Sequence, residues 1–149
     1  MTDTIVERII RLKRLCTLQE DEIRGTFDLS PAEYHGLCSL LPGEHVICRE
    51  LSQRMDLSVS RGSRVIEKLV AKGFLSVQST HSDRRRQELT LTPKGVEFRR
   101  KIDARKRECE QQIISNLKPL HLSRIKQSLD LLCDILVNQG VTHESVEIQ

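Results

Sequence analysis

Aromatic residues are scarce in this chain of 149 residues, which has no Trp, one Tyr and three Phe. Small globular domains usually hold more, so the expected core is aliphatic, packed by leucine and isoleucine. Long hydrophobic runs are lacking as well. No stretch approaches the roughly 20 apolar residues needed to span a bilayer. The N-terminus MTDTIVERII carries acids where a secretory signal has a basic region. A cytoplasmic protein without membrane contact is therefore expected. Cys16, Cys38, Cys48, Cys109 and Cys133 are odd in number, widely spaced and without a CxxC pair, which fits reduced thiols better than a disulfide framework. Catalytic signatures are also wanting. There is no GxGxxG, P-loop or HExxH, and no nucleophile with an evident base, so neither an enzyme nor a cofactor is expected.

What is present is an asymmetry of charge. The formal net charge is only +3, yet residues 58–106 hold 13 Lys/Arg against 5 Asp/Glu, while the remainder holds 11 against 16. A basic block beside acidic flanks suggests one surface for a polyanion, although a solvated helix face accounts for part of it.

Periodicity divides the chain. Thr4-x-x-Glu7 has capping-box spacing, and Ile5, Ile9, Leu12, Cys16 and Ile23 recur at helical intervals up to Gly25. Ser30-Pro31-Ala32-Glu33 caps a second helix expected to reach Leu41, where Pro42-Gly43 ends it. Val46 to Met55 reads as a short helix, Asp56-Leu57-Ser58 as a tight turn, and a further helix runs to Lys72 before Gly73. Val65, Ile66, Leu69 and Val70 form the buried stripe of that helix, and Ser60, Arg61, Ser63, Arg64 and Lys68 face outward. Two short helices on a three-residue turn make a helix-turn-helix. The period then falls to two in FLSVQST and QELTLT, so two strands flank the hydrophilic tip HSDRRR. Thr92-Pro93 caps a long charged helix through about Asn116. KPL breaks it, and a last helix from near Leu122 carries Ile125, Leu129, Leu132, Cys133 and Leu136 before Gly140. The expected fold is mainly α with a small β-hairpin wing, as one domain over 1–149. Residues 30–92 form a winged helix-turn-helix, 1–25 and 93–140 long flanking helices, and 141–149 a tail.

This order of elements suits double-stranded DNA. The second helix of a helix-turn-helix presents its N-terminal residues to base edges in the major groove. Here these are Ser58-Val59-Ser60-Arg61-Gly62-Ser63-Arg64. Arginine can bond guanine in bidentate fashion, serine reaches phosphates or bases, and Gly62 lets backbone approach backbone. Arg84, Arg85 and Arg86 on a hairpin tip match a probe for the minor groove, whereas Asp83 is unfavourable near phosphate unless it pairs with a neighbouring arginine and holds it in place.

The segments LSPAEYHGLCSLL, CRELSQRMDLSVSRGSRVIEKLVAKGFL and SDRRRQELTLTPKG resemble the MarR family of bacterial transcription regulators over residues 5 to 140. The most specific part is the wing signature, Asp-Arg-Arg followed by Leu-x-Leu-Thr-x-x-Gly. The resemblance implies a homodimer intertwined through the N-terminal helix and the last two helices, holding two lobes for a pseudo-palindromic site. It implies Ser58 to Lys68 as the recognition helix and Asp83, Arg84 and Arg85 as the wing. Gly62-Ser63 departs from the larger or β-branched residues usual there, so base preference does not transfer. Independently, the terminal helices hold more apolar stripe than one small lobe can cover, which also points to a dimer.

Such regulators commonly answer to small ligands, oxidants or metals. Cys16 beside Lys13 and Arg14 is a candidate redox sensor, but it also continues the Ile5, Ile9, Leu12 stripe, and Tyr34 is the only tyrosine. His35-x-x-Cys38 and His45-x-x-Cys48 have zinc-type ligands, yet no histidine follows in the helix after the wing, although Cys109 lies there. No metal site is therefore assigned. Cys109 and Cys133 fit packing in dimerisation helices, and His81 and His121 a loop and a helix start. Two functional readings stand: a DNA-binding repressor or activator relieved by an effector, and a winged-helix module that binds protein.

Overall fold

The computed structural model describes residues 4–80 and 83–139, and of Thr80 and residues 83–86 the backbone alone. The chain divides into two compact units, Met1–Ile102 and Asp103–Gln149. The elements in order are α1 (Ile5–Phe27), α2 (Pro31–Cys38), β1 (Val46–Ile47), α3 (Cys48–Arg54), α4 (Val59–Ala71), β2 (Leu75–Thr80), β3 (Asp83–Leu91), α5 (Pro93–Ser115) and α6 (Pro119–Asn138). Helix α5 runs across the division between the units. The result is mainly helical with one small sheet, as expected, in the winged helix-turn-helix order. His81, Ser82 and the tail 141–149 lie outside the described residues.

The first two helices begin where the sequence signals them. Thr4 with Glu7 and Ser30 with Glu33 form complete capping boxes, each pairing a side-chain acceptor with a reciprocal carboxylate. Their ends differ from expectation for identifiable reasons. Helix α1 passes Gly25 and stops at Phe27, because Asp28 takes the left-handed conformation (φ 52°) and Leu29 N–H turns back to the Arg24 carbonyl at 3.1 Å. Helix α2 stops at Cys38 rather than Leu41. An α-helix through Cys38 directs that carbonyl at the N–H of residue 42, which is proline and has none. The guanidinium of Arg99 donates to the Cys38 carbonyl instead.

Val46 and Ile47 form a strand, not the start of a helix. Their β-branched side chains suit pairing with β3, at Val46 opposite Leu89 and Ile47 opposite Glu88. The sheet order is β1-β3-β2, antiparallel throughout. The β3 backbone begins at Asp83, opposite Thr80 after a register shift next to Ser79, so residues 83–86, expected in the hairpin tip, belong to the strand.

The core of the first unit is not purely aliphatic. All four aromatic residues of the chain converge in it. Phe98, fully buried in α5, meets Phe27 of α1 at 4.9 Å between ring centroids, Phe74 before β2 at 5.6 Å and Tyr34 of α2 at 6.2 Å, each edge-on. Edge-to-face pairs gain about 0.5–1.5 kcal/mol beyond area burial. Leu37, Leu40, Leu51, Leu69 and Ile102 fill the space around them, all fully buried.

Beside the aromatics lies one nearly buried acid. Glu33 is 2% exposed, and its carboxylate accepts from Lys72 Nζ at 2.9 Å and from Ser30 N–H at 2.8 Å. Burial works to raise its pKa, but the bonds from Lys72 and Ser30 outweigh burial and hold it below the ordinary 4.5. Because the folded-state pKa is depressed, the pair stabilises the fold above the ordinary glutamate pKa. That stability is lost as the pH falls through 4.5 towards the folded value.

Two measurements check this core. Phe98→Ala should lower the unfolding free energy by about 3–5 kcal/mol in urea titration, and a loss below about 1 kcal/mol would show that the ring cluster is not the centre of the unit. Comparing wild type with Glu33→Gln between pH 7 and pH 3 should show a steeper acid loss of stability in the wild type. Parallel curves would remove Glu33 from the account.

Candidate nucleic-acid interface

The helix-turn-helix is built by one close contact. Gly62 of α4 sits against Ser52 of α3 so tightly that a Cβ there would lie 2.4 Å from the Ser52 Cβ and 3.0 Å from its Cα. Ser52 is itself fully buried, and its hydroxyl donates back to the Cys48 carbonyl at 2.7 Å. Gly62 thus serves helix against helix, which is why the larger residue usual at this position is absent. Between the helices Asp56 adopts φ 57°, Leu57 N–H returns to the Ser52 carbonyl at 3.0 Å, and Ser58 caps α4 by accepting from Arg61 N–H at 3.4 Å. The hydroxyl of Ser58 is therefore engaged in the cap and lies 3.3 Å from that of Ser60.

The segment ahead of α3 is tied down by Arg54. Its guanidinium donates to Glu44 at 2.6 Å, Glu50 at 2.7 Å and the Ser39 carbonyl at 3.0 Å. The bond from Arg54 holds the Glu44 carboxyl below its usual range. Nothing in the spacing of Glu44, Glu50 and Arg54 marks this network in advance; only Glu50 and Arg54, four apart on one helix, are readable as a pair.

Of the candidate DNA contacts, Ser58, Ser60, Arg61, Arg64 and Lys68 are exposed. Ser63 is half-buried and, with Cys48, Ile66, Val70 and Leu89, lines a groove between α4 and the sheet. Asp83, Arg84, Arg85 and Arg86 start β3, and their side chains lie outside the described residues. Seven of the 13 basic residues of 58–106 fall into two sets by their surroundings. Lys72 pairs with Glu33, Lys94 sits 4.4 Å above the Phe74 ring, Lys101 lies 5.1 Å from the Phe27 ring, and Arg99 is 8% exposed. These four make contacts within the fold. Arg61, Arg64 and Lys68 carry the accessible positive charge of α4.

The His/Cys pairs do not come together. His35 faces Glu20 at 3.9 Å and His45 faces Glu88 at 3.7 Å. Among the described residues no group of three or more metal-type ligands forms. Cys16 is exposed on α1, and Cys133 is exposed among Leu129 and Leu136, which are themselves over 40% exposed. Cys38 and Cys109 are half-buried. Burial pushes the Tyr34 hydroxyl above its ordinary range, reinforced by the neighbouring Cys38. No helix among the described residues is long and apolar enough to cross a membrane.

Residues 29–86 match the MarR family model. The fold is similar to that of FabT from Streptococcus pneumoniae, solved in complex with DNA, at TM-score 0.79 and 20% identity over 91% of this chain and 96% of that one. S. aureus MepR in its DNA complex aligns at TM-score 0.71 and 18% identity, covering 85% and 95%. A transcriptional regulator from Thermotoga maritima shares 26% identity at TM-score 0.58, covering 92% and 97%. No curated protein sequence matches the chain.

Gly62→Ala should force α4 away from Ser52 and cost about 1–3 kcal/mol of stability, measured by urea unfolding. Unchanged unfolding would show that α3 and α4 part easily at this point.

Proposed function

We propose that the protein is a transcription regulator binding double-stranded DNA in sequence-specific fashion, a repressor relieved by an effector, a reading supported by the match of residues 29–86 to the MarR family model. The observation that carries the reading is the face of α4. Capped by Ser58 and braced on α3 through Gly62, it offers Ser60, Arg61, Arg64 and Lys68 to solvent, and these are the donor types that read base edges and phosphates. A helix so held can enter a major groove without distortion of its own backbone.

The active species in this proposal is a homodimer on a pseudo-palindromic site. Support comes from apolar surface that the chain leaves uncovered. Helix α1 buries no residue and exposes Ile5, Val6, Leu12, Leu15 and Leu18 by more than half. Helix α6 likewise buries none and exposes Leu120, Leu131 and Val137. Surface of this kind usually marks an interface, and a two-fold pair of α4 helices would then address half-sites about one helical turn apart. The effector acts by changing that spacing, so that both helices no longer reach their half-sites together.

Selection of genomic fragments by the purified, reduced protein should enrich an inverted repeat, bound with a steep salt dependence from counterion release. Absence of any enriched site would favour the protein-binding module. On the enriched site, Arg64→Ala should weaken preferred sequences more than random DNA, whereas Arg85→Ala should weaken both equally; identical effects of the two changes would refute that division of roles.

A further inference from the structure

Val59 is the first residue of α4 and is 53% exposed. It takes no part in the core of its unit, whereas Val65 and Val70 of the same helix pack against it. As the first helical residue it has no preceding turn to pack against, and about half of its surface stays open to solvent. The residues around it are polar: Ser58, whose hydroxyl caps the helix, and then Ser60 and Arg61. A lone apolar side chain at the leading turn of the helix has little to gain from phosphate, sugar hydroxyl or amide edge. The base edges of the major groove carry one apolar group, the C5-methyl of thymine.

We propose that Val59 is a specificity-determining residue, packing against a thymine methyl in each half-site. The inference rests on the reading of α4 as the recognition helix and adds a base preference to it. Arg61 and Arg64 sense donors and acceptors on base edges and cannot register a methyl group. Val59 offers neither donor nor acceptor and can register little else. The two kinds of contact therefore sort thymine by different chemistry from guanine.

The test uses duplexes selected from a random-sequence pool by the wild-type chain, with each thymine replaced singly by deoxyuridine, which keeps every hydrogen-bonding group and lacks only the methyl. One thymine per half-site should be sensitive, its replacement weakening wild-type binding about fourfold, the worth of one buried methyl group. Val59→Ala should bind the thymine and deoxyuridine duplexes equally, keep its affinity for random DNA and unfold at the wild-type denaturant concentration. Val59→Thr, which retains one methyl, should keep part of the preference. Wild-type binding indifferent to every replacement, or Val59→Ala as sensitive as wild type, would overturn the assignment of Val59 alone. Failure of the wild-type chain to enrich any sequence would overturn this proposal and the recognition-helix reading together.

Discussion

The ring of Phe98 is where the first unit is tied together. From the opening turns of α5 it reaches the last residue of α1, the second turn of α2 and the residue before β2. Three elements distant in sequence thus share one side chain, and with four aromatics in the whole chain no other set could replace it. Its partners also place an ion pair. Tyr34 is followed back along the chain by Glu33, and Phe74 by Gly73 and Lys72, so seating the rings brings the acid and the amine within 2.9 Å. Lys94 closes the same region by donating to the Lys72 carbonyl at 2.7 Å. Since Lys72 is the C-cap of α4, the far end of that helix is held by the aromatic core, as its near end is held by Gly62 on Ser52.

A helix fixed at both ends can present its outer face as a rigid unit. In the proposed DNA-binding role that matters, because bidentate contacts lose their worth when the donors shift by a fraction of an ångström. The distribution of basic residues follows the same logic. Those near the ends of α4 and α5 neutralise a buried acid, cover ring faces or satisfy a carbonyl that proline leaves without a partner. Those on the outward turns of α4 meet solvent. A single local excess of positive charge therefore serves two purposes, and the share available to a polyanion is smaller than the composition suggests.

Much of this was legible in advance where the signal is local. Capping boxes at Thr4 and Ser30, the stripe of α4, the switch of period into the hairpin and the Asp56-Leu57-Ser58 turn are all set by residues within a few positions of one another, and each element formed where the pattern lies. The expectations that failed depend on partners far away. Leu41 drops out of α2 where Pro42 offers the Cys38 carbonyl no N–H, and Arg99, 61 residues beyond Cys38, takes that carbonyl. Val46 and Ile47 become a strand because β3 offers them an edge. The four aromatics looked too few to form a core when counted; they suffice because the fold gathers them at one point.

The candidate site divides in the same way. By itself the amino-acid sequence determined which residues stand on the outer face of α4, since a period of 3.6 and a Ser cap leave Ser60, Arg61, Arg64 and Lys68 no other side to occupy. Tertiary structure alone decided that Ser63 turns into the groove beside the sheet, that Gly62 exists for Ser52, and that Val59 is left exposed while Val65 and Val70 pack against the core. Periodicity assigns a face, but exposure depends on what packs against that face, and this is settled only by residues that the chain brings in from elsewhere.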